Sequence, residues 1–225
     1  MMKYIKKGKE PASLAKFRNA LTKEDYDRKS IFDEYKDKED LKKSLLEEQG
    51  YICCYCMQRI SEENMKIEHW KSQKEYPTLK FDYKNLLAAC QGNEGEPPKN
   101  QHCDTKKSST GITINPTHEN CEQYFKYRLS GEIDFDNLER LIRDDLKQSL
   151  NLNHEILVRN RKRTLEAVID EMNRLKGKTA AWSASDAKKK IQQYESKMKD
   201  GKYREYCQVV IYFLKKRFAK ELGCS

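Results

Sequence analysis

Cys53-Cys54-Tyr55-Cys56, Ile67-Glu68-His69-Trp70, Asn85-Leu86-Leu87-Ala88-Ala89-Cys90 and His102-Cys103-Asp104-Thr105-Lys106-Lys107 follow one another between residues 53 and 107. Cys53 and Cys56 have the two-residue spacing with which one tight turn presents two sulfurs to a single ion. Cys90 and Cys103 supply a second pair across a long insert. Thiolates are the preferred soft ligands of tetrahedral zinc, so the stretch reads as two zinc knuckles. The bland alternative is four small buried hydrophobes. His102 and Cys54 are the replacement ligands if Cys90 does not reach. Between the pairs stands a histidine preceded by a carboxylate. An imidazole titrating near neutrality can take a proton at working pH. A hard divalent ion on carboxylate oxygen can neutralise a phosphate and its leaving oxygen.

Working outward, Leu41, Leu45 and Leu46 keep helical spacing over residues 37–49, with Asp37 as N-cap and Gly50 as the stop. Leu14, Phe17, Ala20 and Leu21 predict another helix over residues 12–21, and residues 3–11 read as an arm or an edge strand. Residues 57–60, a polar turn at 61–64 and residues 65–69 read as a hairpin with His69 at its end. Adjacent strand residues point to opposite faces, so a bulge or strand end must bring Glu68 and His69 to one site. Residues 71–84 form a loop, and residues 83–90 lead into the second knuckle. Gly92, Gly95, Pro97 and Pro98 mark the insert 91–101 as loop. Asp104 opens a helix. Phe125, Tyr127 and Leu129, a turn at Ser130-Gly131, then Ile133 and Phe135 predict a second hairpin. The remainder is helical: Leu138, Leu141, Ile142 and Leu146 share a face, as do Leu165, Val168, Ile169, Met172 and Leu175, and Cys207, Val210, Ile211 and Leu214. Residues 177–185 read as a connector. Trp70 reads as packing, His118 and His154 as surface or capping residues, and Cys54, Cys121, Cys207 and Cys224 have no assigned role.

The order and residue types of the central stretch resemble the zinc-knuckled branch of the HNH, or ββα-metal, endonucleases. The resemblance implies an α+β fold: a ββα-metal nuclease core with structural zinc knuckles, surrounded by helices, and a mostly helical C-terminal region. It implies that His69 is the general base on a water and that Glu68 and Asp104 hold a catalytic Mg2+ or Mn2+. Asn85 supports the loop carrying His69, and Lys107, three residues beyond Asp104, contacts phosphate. Cys53, Cys56, Cys90 and Cys103 hold structural Zn2+. The family more often has Asp at the position of Glu68 and a second Cys-x-x-Cys in place of the widely spaced pair.

Ile114-Asn115-Pro116, Tyr124-Phe125-Lys126-Tyr127 and Gly131-Glu132-Ile133, with the opening Met2-Lys3-Tyr4-Ile5-Lys6-Lys7, are similar to the PtuB-type HNH proteins of Septu and retron anti-phage systems. This resemblance covers most of the first two-thirds of the chain. It implies a defence effector acting on nucleic acid, with DNA favoured, although the same chemistry serves a structured RNA such as a tRNA. It further implies control by a PtuA-type ATPase and association with a retron reverse transcriptase and its msDNA. The rival class is a zinc-stabilised module that binds nucleic acid or protein without cutting.

The whole chain sets the frame. Of its 225 residues 36% are charged and 37% hydrophobic, and mean hydropathy is −1.01. That suits charged helices around a small core, and 13 tyrosines favour folding. No apolar run approaches the length of a membrane span, and no signal-like segment follows the Lys-rich start, so a cytoplasmic protein without a membrane partner is expected. In a reducing compartment eight cysteines point to metal or redox chemistry; the βαβ context of a thioredoxin-like site is not visible. Residues 1–150 balance 27 Lys/Arg against 27 Asp/Glu, whereas residues 151–225 carry 18 against 9. This basic tail fits a polyanion partner as well as it fits solvated helix faces. The expected organisation is an N-terminal helical segment (1–50), the zinc-containing nuclease module (51–135) and a basic helical region (136–225), packed as one unit.

Overall fold

The computed structural model describes residues 2–136, 138–176 and 181–223. In chain order the helices and strands are α1 (Ala12–Asn19), α2 (Lys23–Asp27), α3 (Ile31–Glu34), α4 (Lys38–Gln49), β1 (Met65–His69), β2 (Leu86–Cys90), α5 (Cys103–Lys107), β3 (Lys126–Tyr127), β4 (Ile133–Asp134), α6 (Arg140–Asp144), α7 (Glu155–Lys176), α8 (Ala184–Glu195), α9 (Cys207–Arg217) and α10 (Ala219–Leu222). The architecture is α+β, with two small antiparallel sheets, β1–β2 and β3–β4, among helices. Most of the expected connector, Gly177 to Ala180, lies outside the described residues, as does Cys224.

Helix α4 forms where the leucine spacing predicts. Leu41, Leu45 and Leu46 are fully buried, and burial of each leucine side chain stabilises the fold by roughly 1.5–3 kcal/mol. Glu39 and Asp40 lie in its first turn, where they complement the helix dipole. Asp37 takes the N-cap position but makes no side-chain capping bond. Gly50 ends the helix at φ +61. A Cβ there would stand 2.4 Å from the Tyr203 ring, so only glycine serves both the turn and the contact.

Strand β2 is buried at all five positions, because α4 and α5 both pack on it. Its unbroken apolar run Leu-Leu-Ala-Ala-Cys follows from that double coverage. Its partner is β1, in the register Met65↔Cys90 through His69↔Leu86. The sequence reading paired residues 65–69 with residues 57–60, and the structure corrects this. Residues 57–60 fold back on the first knuckle, with Cys53 N–H donating to Gln58 O and Ile60 N–H to Tyr51 O. Only the isolated bridge Ile52↔Arg59 remains there.

The arm before α1 forms no strand. Met2 and Ile5 are buried, Ile5 N–H donates to Pro116 O at 2.9 Å, and the Lys7 ammonium bonds Glu48 and Leu86 O. The second hairpin occurs as β3–β4, pairing Tyr127 with Ile133. The fully buried Arg161 side chain on α7 holds its turn by bonding Gly131 O. In α9 Cys207, Val210, Ile211 and Leu214 are buried, while in α6 Leu141 departs from its expected face and is 70% exposed. One hydrophobic cluster runs from Met2 to Phe218 and takes residues from all three expected segments. No helix among the described residues is long and apolar enough to cross a membrane.

Candidate metal and catalytic centre

The sulfurs of Cys53, Cys56, Cys90 and Cys103 lie within 4.8 Å of one another, and all four residues are buried. Cys56 Sγ and Cys90 Sγ are 3.8 Å apart. Zinc–sulfur bonds of about 2.3 Å in a tetrahedron give sulfur–sulfur edges of about 3.8 Å. The first knuckle closes through Met57 N–H to Cys53 O at 3.0 Å, with Met57 in the left-handed region at φ +61. Cys90 N–H then points at Cys53 Sγ at 3.3 Å.

The long insert between Cys90 and Cys103 is closed at its base. His102 N–H donates to Gly92 O at 3.0 Å. Gly92 sits at φ +56, and a Cβ there would lie 2.0 Å from His102 O. Glycine is therefore what lets the two ends of the insert meet. Asn93 Nδ2 crosses the loop to Asn100 O at 2.9 Å, and Cys103 N–H is anchored on Leu150 O at 2.9 Å. His102 stands beside the cluster, its Nδ1 3.2 Å from Cys103 Sγ, and Cys54 is buried outside the four-sulfur group.

The thiols are electrostatically uneven. Burial opposes ionisation of Cys53, but the sulfhydryls of Cys103, Cys54, Cys56 and Cys90 converge on it and hold its pKa well below the usual thiol range. Burial pushes Cys56 and Cys103 well above that range. Further thiolates in this space require a cation, and four convergent sulfurs with no open edge fit zinc.

At the other end of β1 the strand alternation places Lys66 and Glu68 on one face. That face meets α5. Glu68, 3% exposed, receives the Tyr55 hydroxyl on Oε1 at 2.6 Å and the Lys107 ammonium on the same oxygen at 2.8 Å. Lys66 Nζ lies 3.6 Å from Asp104 Oδ2 and donates to Thr105 Oγ1 at 3.2 Å. Burial and the adjoining Asp104 carboxylate push the Glu68 carboxyl well above the usual range, with Lys107 opposing them. Two adjoining carboxyl groups disfavour double ionisation, and an ammonium already stands beside each of them, Lys107 at Glu68 and Lys66 at Asp104. The hard oxygen donors of the two carboxyl groups fit Mg2+ or Mn2+, which typically use one or two carboxylates.

His69 ends the strand, with no bulge. Its Nε2 is 3.0 Å from Lys80 O; a carbonyl only accepts, so this nitrogen carries the proton and Nδ1 keeps its lone pair. Burial lowers its pKa to about 4, which leaves the ring neutral at pH 7. Phe32 of α3 meets it edge-on at 4.8 Å between centroids. Lys80 in turn clamps the α2–α3 segment, its ammonium donating to Tyr26 O at 2.6 Å and Arg28 O at 2.8 Å. Asn85 ties the loop beyond His69. Its Oδ1 accepts from Lys71 N–H at 2.8 Å, and its Nδ2 donates to Lys71 O and Leu79 O at 3.0 and 3.1 Å.

The structure thus brings Glu68, Asp104 and Lys107 together, with His69 on the next residue and Asn85 behind it. Lys107, expected at a phosphate, faces inward. That side chain has no exposed surface and is spent on Glu68 and on His69 O at 3.2 Å. Trp70 packs, donating Nε1–H to Ile114 O at 3.1 Å. His154 sits at the start of α7, where its carbonyl accepts the first helical bonds. The sequence reading missed Tyr55, Phe32 and Lys80. Tyr55 carries a signal, since it lies inside the Cys53–Cys56 pair; a backbone carbonyl such as that of Lys80 carries none.

No family model matches the chain. Over 89 residues, 38% of the chain, it is 34% identical to a protein of Vibrio cholerae serotype O1 biovar El Tor named "Retron Vc95 putative HNH endonuclease", of which 42% is covered. Over 97 residues, 41% of the chain, it is 36% identical to the Septu protein PtuB of Bacillus thuringiensis, of which 35% is covered. Over 80 residues, 30% of the chain, it is 35% identical to the Escherichia coli "Retron Ec83 putative HNH endonuclease", of which 31% is covered. The chain resembles HNH endonucleases of the PtuB type in these stretches, which span less than half the length of each relative.

Proposed function

We propose that the chain is a divalent-cation-dependent HNH endonuclease that hydrolyses phosphodiester bonds, with β1, β2 and α5 as its ββα-metal core. The observation that carries this reading is the buried pairing of Glu68 with Asp104 where β1 meets α5, with His69 the next residue of the strand and a four-cysteine cluster at the strand's other end. Cys53, Cys56, Cys90 and Cys103 hold zinc in a closed, structural role. Glu68 and Asp104 hold Mg2+ or Mn2+, which when bound neutralises charge on the scissile phosphate and the leaving oxygen. His69 is held by its Nε2–H on Lys80 O so that Nδ1 takes a proton from the attacking water. Asn85 keeps that histidine's loop in place without touching the reacting atoms. Lys107 and Tyr55 hold Glu68.

Defence provides the biological setting, on the strength of the retron and Septu names of the relatives. Within it the substrate is nucleic acid, DNA before RNA, and the partners are a PtuA-type ATPase that controls the nuclease and, in a retron setting, a reverse transcriptase with its msDNA. The chain acts in the cytoplasm. The competing reading, a zinc-stabilised binding module, draws on the burial of His69 beneath Phe32. One experiment separates them: cleavage of plasmid DNA and of folded RNA in Mg2+ or Mn2+, with the chain alone and co-expressed with a PtuA-type ATPase. Wild type should cut and His69→Ala should not. Equal cleavage by the two withdraws the assignment to these residues.

A further inference from the structure

Glu68 Oε1 accepts a hydrogen bond from Tyr55 and forms an ion pair with Lys107, and each partner comes from a different half of the cysteine cluster. Tyr55 stands between Cys54 and Cys56 in the first knuckle, is fully buried, and reaches Oε1 at 2.6 Å. Lys107 stands one helical turn beyond Cys103, at the far end of α5, is fully buried, and reaches the same atom at 2.8 Å. The two halves of the cluster come from segments far apart in sequence, and the four sulfurs are the point at which they are joined.

We infer that Tyr55 is a positioning residue through which the zinc cluster sets the Glu68 carboxylate, so that zinc occupancy and binding of the catalytic divalent ion are coupled. The inference rests on the reading of Glu68 as a ligand of that ion. Both hydroxyl and carboxylate are withdrawn from water, so neither has a solvent partner to fall back on. A side chain as long as glutamate has three torsions to fix before one oxygen faces an ion. The hydroxyl and the ammonium at Oε1 fix them, as outer-shell partners of metal-binding carboxylates do. Tyr55 is fully buried in the same turn as Cys53 and Cys56, so the backbone from which its ring projects is the backbone that closes the knuckle. Closing the knuckle on zinc therefore places the hydroxyl, and the hydroxyl places Oε1. Coupling of this kind is reciprocal, so an ion at Glu68 also favours the closed knuckle.

The test is Tyr55→Phe, which keeps the ring and removes the hydroxyl. Its comparison is Tyr83→Phe, which removes another tyrosine-to-glutamate bond, that of Tyr83, in the turn before β2, to Glu48 of α4 at 3.0 Å. Zinc-loaded full-length proteins are titrated with Mn2+, and free Mn2+ is followed by electron paramagnetic resonance, a readout independent of cleavage. Tyr55→Phe is expected to bind Mn2+ about tenfold to a hundredfold more weakly than wild type, with zinc still one per chain. Tyr83→Phe is expected to match wild type. Equal Mn2+ affinity in Tyr55→Phe and wild type overturns the coupling while leaving Glu68 as a ligand. Loss of zinc by Tyr55→Phe also overturns it, because the hydroxyl would then serve the cluster and not the carboxylate. Absence of Mn2+ binding by wild type overturns both the coupling and the catalytic-metal reading on which it rests.

Discussion

The two ends of the β1–β2 ladder are held together in opposite ways. At the Met65↔Cys90 end, four cysteine side chains converge on one point and need only each other and a cation. At the His69↔Leu86 end, the reactive side chains depend on groups with no chemistry of their own: the carbonyls of Lys80, Lys71 and Leu79, the edge of Phe32, and a buried lysine. A ligand cluster is specified by its ligands. The proposed general base, His69, and its neighbour Glu68 are set by the shell around them, and that shell draws on α3, the loop after β1 and α5. The first end should therefore fail all at once and the second by degrees.

The largest effect is expected at the cysteine end. Structural zinc sites bind with apparent free energies of about 10–16 kcal/mol that are in effect folding free energy. Cys103→Ser, or zinc removal by a strong chelator, should unfold the module, read as loss of the cooperative thermal transition together with loss of zinc by elemental analysis. A variant that keeps both would break the contrast. At the other end, His69→Ala should lower cleavage by about 10²–10⁴-fold while zinc stays bound and far-ultraviolet circular dichroism is unchanged. Zinc loss in that variant would show that the two ends are one unit.

Asn85→Ala comes next. It leaves Lys71 N–H and Lys71 O without this partner, while Leu79 O keeps Asp82 N–H. A fully buried polar group left unpaired costs about 1–3 kcal/mol, so these part-buried groups cost less. Urea denaturation should show a lower midpoint with an unchanged slope. Gly92→Ala should cost about 1–2 kcal/mol, more than a compatible Gly-to-Ala exchange recovers. Its Cβ would meet His102 O at 2.0 Å, so faster zinc transfer to a competing chelator should accompany the lower melting temperature. The smallest effect belongs to neither end: Leu141→Lys, at a position 70% exposed, should change stability by no more than about 0.5 kcal/mol.

What was legible in the sequence was what side chains declare by type and spacing. Cys53, Cys56, Cys90 and Cys103 stood out because few roles other than metal binding place cysteines so. Glu68 and His69 stood out because they lie between them. Helix α4 was legible from Leu41, Leu45, Leu46 and Gly50, and α9 from Cys207, Val210, Ile211 and Leu214, since a helix buries one local stripe. The partner of β1 was not legible: strand pairing is non-local, and residues 57–60 were nearer in sequence than β2 but already bound to the first knuckle. Nor was the burial of Lys107, because lysine is ordinarily a surface residue and only the packing of α5 on β1 brings it to Glu68. The tautomer of His69 was decided by Lys80 O, the cover over its ring by Phe32, and the orientation of Glu68 by Tyr55. The sequence by itself determined which atoms can do chemistry here. The tertiary structure decided which of them face one another, because backbone groups and buried neighbours act by position and leave no mark in residue type.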